Sequence, residues 1–304
     1  ATTGEVAGGR AAGVLAALFA VSVWAAWIPV TRLGVVTSLS PWDVSVLRFG
    51  TAGALLLPVL LLRWRQVPWR EFGPLAAMIA GAGVPYVLTF GYGLQVANSG
   101  QGAVLGPGAN SALVALLAFF VLREVPARNR VLGLAITLLG VGYVIAHDVA
   151  LGGVRLEGFL LILAASFCWA TYTVASRRLL LDPLTTTAVV SVGNAALLLP
   201  PYFAFGGGAA LAAAPAADLW LQALYQGVLT AVVAMIAYAY AVQRLGATIA
   251  SSFTPLSPVL AASFGALLLG DRVDTATGFG LAAVALGVVV ASRPSRRRGV
   301  ASAE

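Results

Sequence analysis

Three tryptophans sit where a strongly apolar sequence offers an indole N–H little besides its own protein: Trp24 and Trp27 in one long run and Trp169 in another. An indole facing hydrocarbon leaves its N–H without a partner, so all three are expected to face inward. Tyr172 follows Trp169 at the spacing with which Trp27 follows Trp24, and Tyr86 stands in a third run. Such rings offer flat apolar surface with a polar edge, which suits holding a ligand or packing helices together. A second set is uncharged and polar: Asn110, Asn194, Gln226, Thr230, Ser251, Ser252 and Thr254, each stranded within an apolar run. Helix-to-helix hydrogen bonding, worth about 0.6 kcal/mol on average in membranes, competes with ligand contact as the reason for each. The candidate ligand contacts are thus Trp24, Trp27, Tyr86, Trp169 and Tyr172, with Asn110, Asn194, Gln226, Ser251, Ser252 and Thr254.

Other chemistry is excluded by what is missing. All 18 basic residues are arginine, so neither a lysine-bearing phosphate loop nor a Schiff base can form. One cysteine, Cys168, and one histidine, His147, give no disulfide and no paired-histidine zinc site. No cofactor or metal is expected, and the arginines beside apolar runs do not make a nucleic-acid surface. Of eleven acidic residues only Asp43 enters an apolar run, and barely, which gives no support to a mid-membrane proton relay. Arg48 is the one deep charge, seven residues or about 10 Å beyond Pro41. Its side chain either snorkels toward the near surface or binds a carboxylate or a carbonyl end.

These residues must be carried by membrane helices. The chain has 304 residues, 60% hydrophobic and 10% charged, with mean hydropathy +0.93. At about 20 apolar residues per span, this predicts an all-α polytopic protein with ten transmembrane helices over 12–36, 41–62, 72–94, 98–122, 128–146, 157–181, 183–205, 217–243, 247–269 and 275–292. The first is too long to read as a removed signal peptide. Fourteen loop arginines fall on one side and Arg32, Arg155 and Arg272 on the other, so both termini are expected in the cytoplasm. Trp42, Trp64, Trp69 and Trp220, at run ends, are expected as headgroup anchors, and the arginines of 293–298 as partners of anionic lipid.

The second half repeats the first at an offset of 145 to 148 residues. Trp24-Ala25 falls on Trp169-Ala170, Thr31-Arg32 on Ser176-Arg177, Tyr92 and Gln95 on Tyr240 and Gln243, Pro107 on Pro255, and Glu124 on Asp271. The units are 1–147 and 148–304. Five spans in each force the second to enter the membrane from the opposite side, so the fold is two inverted five-helix repeats, an arrangement that places a transporter's site near the midplane. Trp24 and Trp169 are expected to wall opposite sides of one cavity. Tyr92/Gln95 and Tyr240/Gln243 are candidate gates, one pair per mouth, and Pro107 and Pro255 candidate hinges at equivalent mid-helix positions. Gly133/Gly140 and Gly280/Gly287 predict close packing of helices 5 and 10.

Trp24-Ala25 with Thr31-Arg32, Pro41 with Arg48, Pro107 through Glu124 and Pro255 through Asp271 resemble the drug/metabolite transporter superfamily, in its ten-helix branch with two EamA-type repeats. The resemblance implies export of small metabolites, with amino acids, aromatic ones among them, foremost; the spans place the carrier in the cell inner membrane, and the glycine faces of helices 5 and 10 leave both a monomer and a homodimer open. Two other classes compete. An enzyme on lipid-linked substrates would have to use Glu124, Arg128 and Arg130, and a channel would need rings of residues from several subunits.

Overall fold

The computed structural model describes residues 3–150 and 156–292. Ten helices are long and apolar enough to cross a membrane: α1 (Ala11–Thr37), α2 (Pro41–Gln66), α3 (Phe72–Val96), α4 (Ser99–Leu122), α5 (Arg128–Ala150), α6 (Leu156–Leu179), α7 (Pro183–Ala204), α8 (Ala216–Leu245), α9 (Ile249–Leu269) and α10 (Thr275–Ser292). Among the described residues there is no β-strand. The arginines of 293–298 and Arg155 lie outside the described residues.

Local chemistry marks the helix starts. Ser40 and Asp43 form a reciprocal capping box on α2, with Pro41 in its first turn, and Asn98 with Gln101 does the same for α4. Asp182 caps α7 by accepting from the amides of Leu184 and Thr185. Asp43, in the first turn of α2, is committed to its cap and also accepts from the Tyr202 hydroxyl.

Packing follows the inverted repeat. α1 lies on α8 as α6 lies on α3, α1 meets α9 as α6 meets α4, and α2–α7 and α5–α10 pair with their own counterparts. The α5–α10 seam is glycine-built, as the spacing predicts. A Cβ on Gly133 would lie 2.3 Å from the Gly287 carbonyl, and one on Gly287 would lie 2.5 Å from that of Gly133. Only two bare backbones pack so closely.

Three spans depart from the uniform helices expected. α3 breaks between Gly81 and Val84, α8 runs as a π-helix over Ala223–Val233, and α9 is interrupted by a turn and a 3-10 segment at Thr254–Leu256. Pro255 lies inside that interruption, whereas Pro107 lies within unbroken α4. The expected pair of equivalent proline hinges is therefore corrected: one marks a break and the other does not. Pro258 follows closely at the start of the next helical segment, so α9 loses two backbone donors in adjacent turns while α4 loses one.

Candidate functional site

Gly81 seats α3 on α6. A side chain there would collide with the Tyr172 amide at 2.5 Å and the Cys168 carbonyl at 2.6 Å, so the backbones touch and the rings above them meet. Tyr86 of α3 lies 5.0 Å, centre to centre, from Trp169 of α6, which in turn lies 5.1 Å from Tyr172. On its other side Tyr86 stacks on Trp27 of α1 at 5.5 Å, with the ring planes 13° apart, and Phe90 closes against both. The result is one continuous series of rings joining α1, α3 and α6, at separations that favour aromatic attraction.

Gln226, fully buried in the π segment of α8, anchors the near end of the series. Its Oε1 accepts from Trp27 Nε1 at 2.6 Å and from an Arg48 terminal nitrogen at 3.0 Å. Its Nε2 donates to Thr31 Oγ1 and to Gln222 Oε1, and Gln222 donates to the Val30 carbonyl. π segments recur at functional sites, where the extra residue re-aims side chains; here both glutamines turn onto α1. Arg48 points inward to this cluster, with its guanidinium 5.6 Å from the centre of the Trp27 ring. The snorkelling alternative is thereby set aside.

Several expected contacts lie elsewhere. Trp24 does not face Trp169 across a cavity: it packs on Tyr238 of α8 at 5.2 Å and points its N–H at the Thr230 carbonyl. It belongs to the α1–α8 seam, which Tyr225 reinforces by donating to the Val23 carbonyl. Asn194 has both ends of its amide committed, accepting from the Val84 amide at 2.9 Å and donating to the Ile79 and Val190 carbonyls. It satisfies the broken backbone of α3. Ser251, Ser252 and Thr254 are exposed at the interruption of α9, the last two bonded within their own turns. Asn110 is half-buried, and its Oδ1 has no hydrogen-bond partner. Of the gate candidates, Tyr92 and Tyr240 are both exposed, Gln95 donates to the Val35 carbonyl, exposed Gln243 lies near the end of α8, and Arg244 stacks on Tyr240. Gln222, Thr31 and Phe90 complete the cluster without having been singled out as contacts; the match of Thr31 to Ser176 was the only available signal.

Among the described residues, one candidate for metal ligation lies outside this interior. Ligand atoms of His147, Asp148 and Asp274 lie within 4.8 Å of one another. Asp148 is engaged by Gln101, and Asp274 caps α10 through the Thr277 amide. Burial works to raise the Asp274 carboxyl, but those Thr277 bonds outweigh it and hold the group below its ordinary range. Both acids thus have structural work.

A model of the EamA-like transporter family matches this sequence twice, over residues 11–146 and 156–293. The chain belongs to the EamA-like transporter family. Two relatives carry names that say only that they are uncharacterized transporters. YyaM of Bacillus subtilis is 26% identical over 83% of this chain and 85% of its own, and the inner membrane transporter YedA of Escherichia coli is 27% identical over 90% and 89%. A solved crystal structure superposes with a TM-score of 0.60 at 20% identity, covering 93% of this chain and 96% of that one, which shows the fold alone. Family and relatives are transporters, so the protein is a multi-pass membrane transporter and not an enzyme.

In this EamA-like chain the Glu124 cluster has a structural reading. Glu124 pairs with Arg177 at 3.0 Å, and the repeat-related Asp271 pairs with Arg32 at 2.7 Å. The two bridges lie at opposite ends of the bundle. Arg32 also donates to the Ala97 carbonyl, and Asp271 also accepts from the Ser99 amide.

Proposed function

We propose that this chain is a secondary transporter that exports small metabolites, foremost neutral amino acids with apolar or aromatic side chains, by alternating access. The observation that carries the reading is the ring series: Trp27 and Tyr86 come from the first repeat, Trp169 and Tyr172 from the second, and they meet between them. A molecule lying on those rings touches both halves of an inverted pair, so a change in their relation re-aims the site from one face to the other. Trp27, Tyr86, Trp169 and Tyr172 are the proposed contacts, with Gln226 positioning Trp27. The repeats 1–147 and 148–304 are the moving halves, with Tyr92/Gln95 and Tyr240/Gln243 toward the two mouths. The arginine-rich loops face the cytoplasm of a bacterial-type inner membrane, and so do both ends of the chain.

With Asp43 held in the cap of α2 and no carboxylate at mid-span among the described residues, transport runs as facilitated efflux or exchange. The test is flux from proteoliposomes across a panel of amino acids, with and without a pH gradient. Saturable efflux stimulated by substrate on the far side is the expected result. Unsaturable flux would indicate a pore, and accumulation driven far above equilibrium by a pH gradient would show proton coupling.

A further inference from the structure

Among the described residues Arg48 is a cation without an anion. The ion pairs among the described residues are Arg32–Asp271, Arg63–Asp182, Arg177–Glu124 and His147–Asp148, and none includes it. A guanidinium carries five N–H donors. Here one is spent on Gln226 Oε1 at 3.0 Å, an oxygen already shared with Trp27. Its guanidinium also faces the rings of Trp27 and Phe49, at 5.6 and 5.8 Å, with Tyr86 close enough to interact, and the side chain keeps accessible surface although it lies between α1, α2 and α8. A charge inside a membrane bundle with one neutral acceptor is costly, and such charges mark the ligand path.

We propose that the missing partner is carried by the substrate: a carboxylate pairs with Arg48 while the apolar body of the same molecule lies on Trp27, Tyr86 and Trp169. The inference rests on the carrier reading above and names its substrate class. The planar fork of donors matches the two oxygens of a carboxylate. Charge balance narrows the class further. One guanidinium neutralises one negative charge, so a single carboxylate leaves the pair neutral, whereas a dianionic phosphate leaves an excess charge in the bundle. Gln226 is a positioning residue. Its amide is held by Thr31 and Gln222 with Oε1 turned toward Arg48, which steadies the guanidinium when the site is empty.

The experiment uses the purified full chain in detergent and matched acid and amide probes: L-phenylalanine with phenylalaninamide, and 3-phenylpropanoate with its carboxamide. Binding is read by tryptophan fluorescence and competition. The acid is expected to bind at least tenfold more tightly than its amide in both pairs. That ratio should fall to near one in Arg48→Gln and recover in part in Arg48→Lys, which restores the charge without the fork. Equal binding of acid and amide by the unaltered protein overturns the proposal with no variant needed. So does an acid preference that survives in Arg48→Gln, or tighter binding of phenyl phosphate than of 3-phenylpropanoate. If acids are preferred in binding but no flux appears in proteoliposomes, the Arg48 assignment stands and the carrier reading falls. If no probe binds, both fall.

Discussion

Arg32 of the first repeat reaches Asp271 of the second at 2.7 Å, and the inversion returns the favour at the opposite face, where Arg177 of the second repeat reaches Glu124 of the first at 3.0 Å. Each bridge ties one half to the other. They are not equal: the side chains of the first are 19% and 7% exposed, those of the second 44% and 45%. A charge-assisted bond in a part-buried setting is worth about 1.5–3 kcal/mol, an exposed one about 0–1. Asp271→Asn should therefore raise labelling of a cysteine at position 95, in a Cys168→Ser background, by roughly ten- to a hundredfold. Glu124→Gln should raise labelling of one at position 243 by less than about fivefold. Equal effects, or none from Asp271→Asn, would show that the bridges do not close the mouths.

The ring series separates two tryptophans that the repeat makes equivalent. Trp169 touches Tyr86 and Tyr172, and at about 0.5–1.5 kcal/mol per aromatic contact Trp169→Ala should weaken transport of an aromatic amino acid about tenfold. Trp24 sits in the α1–α8 seam with Tyr238, so Trp24→Ala should lower stability while leaving the transport KM within about twofold. Initial rates in proteoliposomes compare the two. A larger KM change from Trp24→Ala would move the site to the other seam.

Asn194→Leu should destabilise the protein without changing what it binds. It strips a partner from the Val84 amide and from the Ile79 carbonyl at the break in α3, at about 1–3 kcal/mol for each unsatisfied buried group. Thermal unfolding in mild detergent should shift down by several degrees. Unaltered stability together with lost substrate affinity would return Asn194 to the ligand set.

Asp182 gives one acid-side dependence. Burial pushes its carboxyl up, but bonds from Thr185 and Arg63 outweigh burial and hold it below the ordinary carboxylate range. A depressed folded value means the group adds stability above its unfolded value of about 4 and loses it as pH falls through the folded one. Asn caps a helix nearly as well as Asp, so the melting difference between the unaltered protein and Asp182→Asn should be constant near neutrality and shrink below about pH 4. A difference that widens in acid would contradict the sign.

The spans and the α5–α10 seam were legible because each is written in one local signal, a run of apolar residues or a pair of glycines. The site was legible only in its residue types. Trp24 and Trp169 match in register, yet which neighbour each ring meets depends on the opposite repeat, where the match is imperfect: Tyr238 corresponds to Phe90, while Ala234 stands where Tyr86 would be. Asn194 looked like a ligand contact because the break it mends, at Gly83, carries no sign beyond a glycine followed shortly by a proline. The inward turn of Arg48 required knowing that Gln226 comes from a π segment, which no local periodicity shows.

The interruption at Pro255, unmatched at Pro107, bears on kinetics. A carrier with faithful inverted halves has mirrored barriers, and its inward- and outward-facing forms are equally populated when nothing is bound. Here α9 is interrupted where α4 is a continuous helix, so in the proposed cycle the two limbs would run over unequal barriers. Detailed balance still forbids an uncoupled carrier from accumulating anything. The inequality must then appear as maximal rates and half-saturating concentrations that differ between efflux and influx by the same factor, leaving their ratio identical in the two directions.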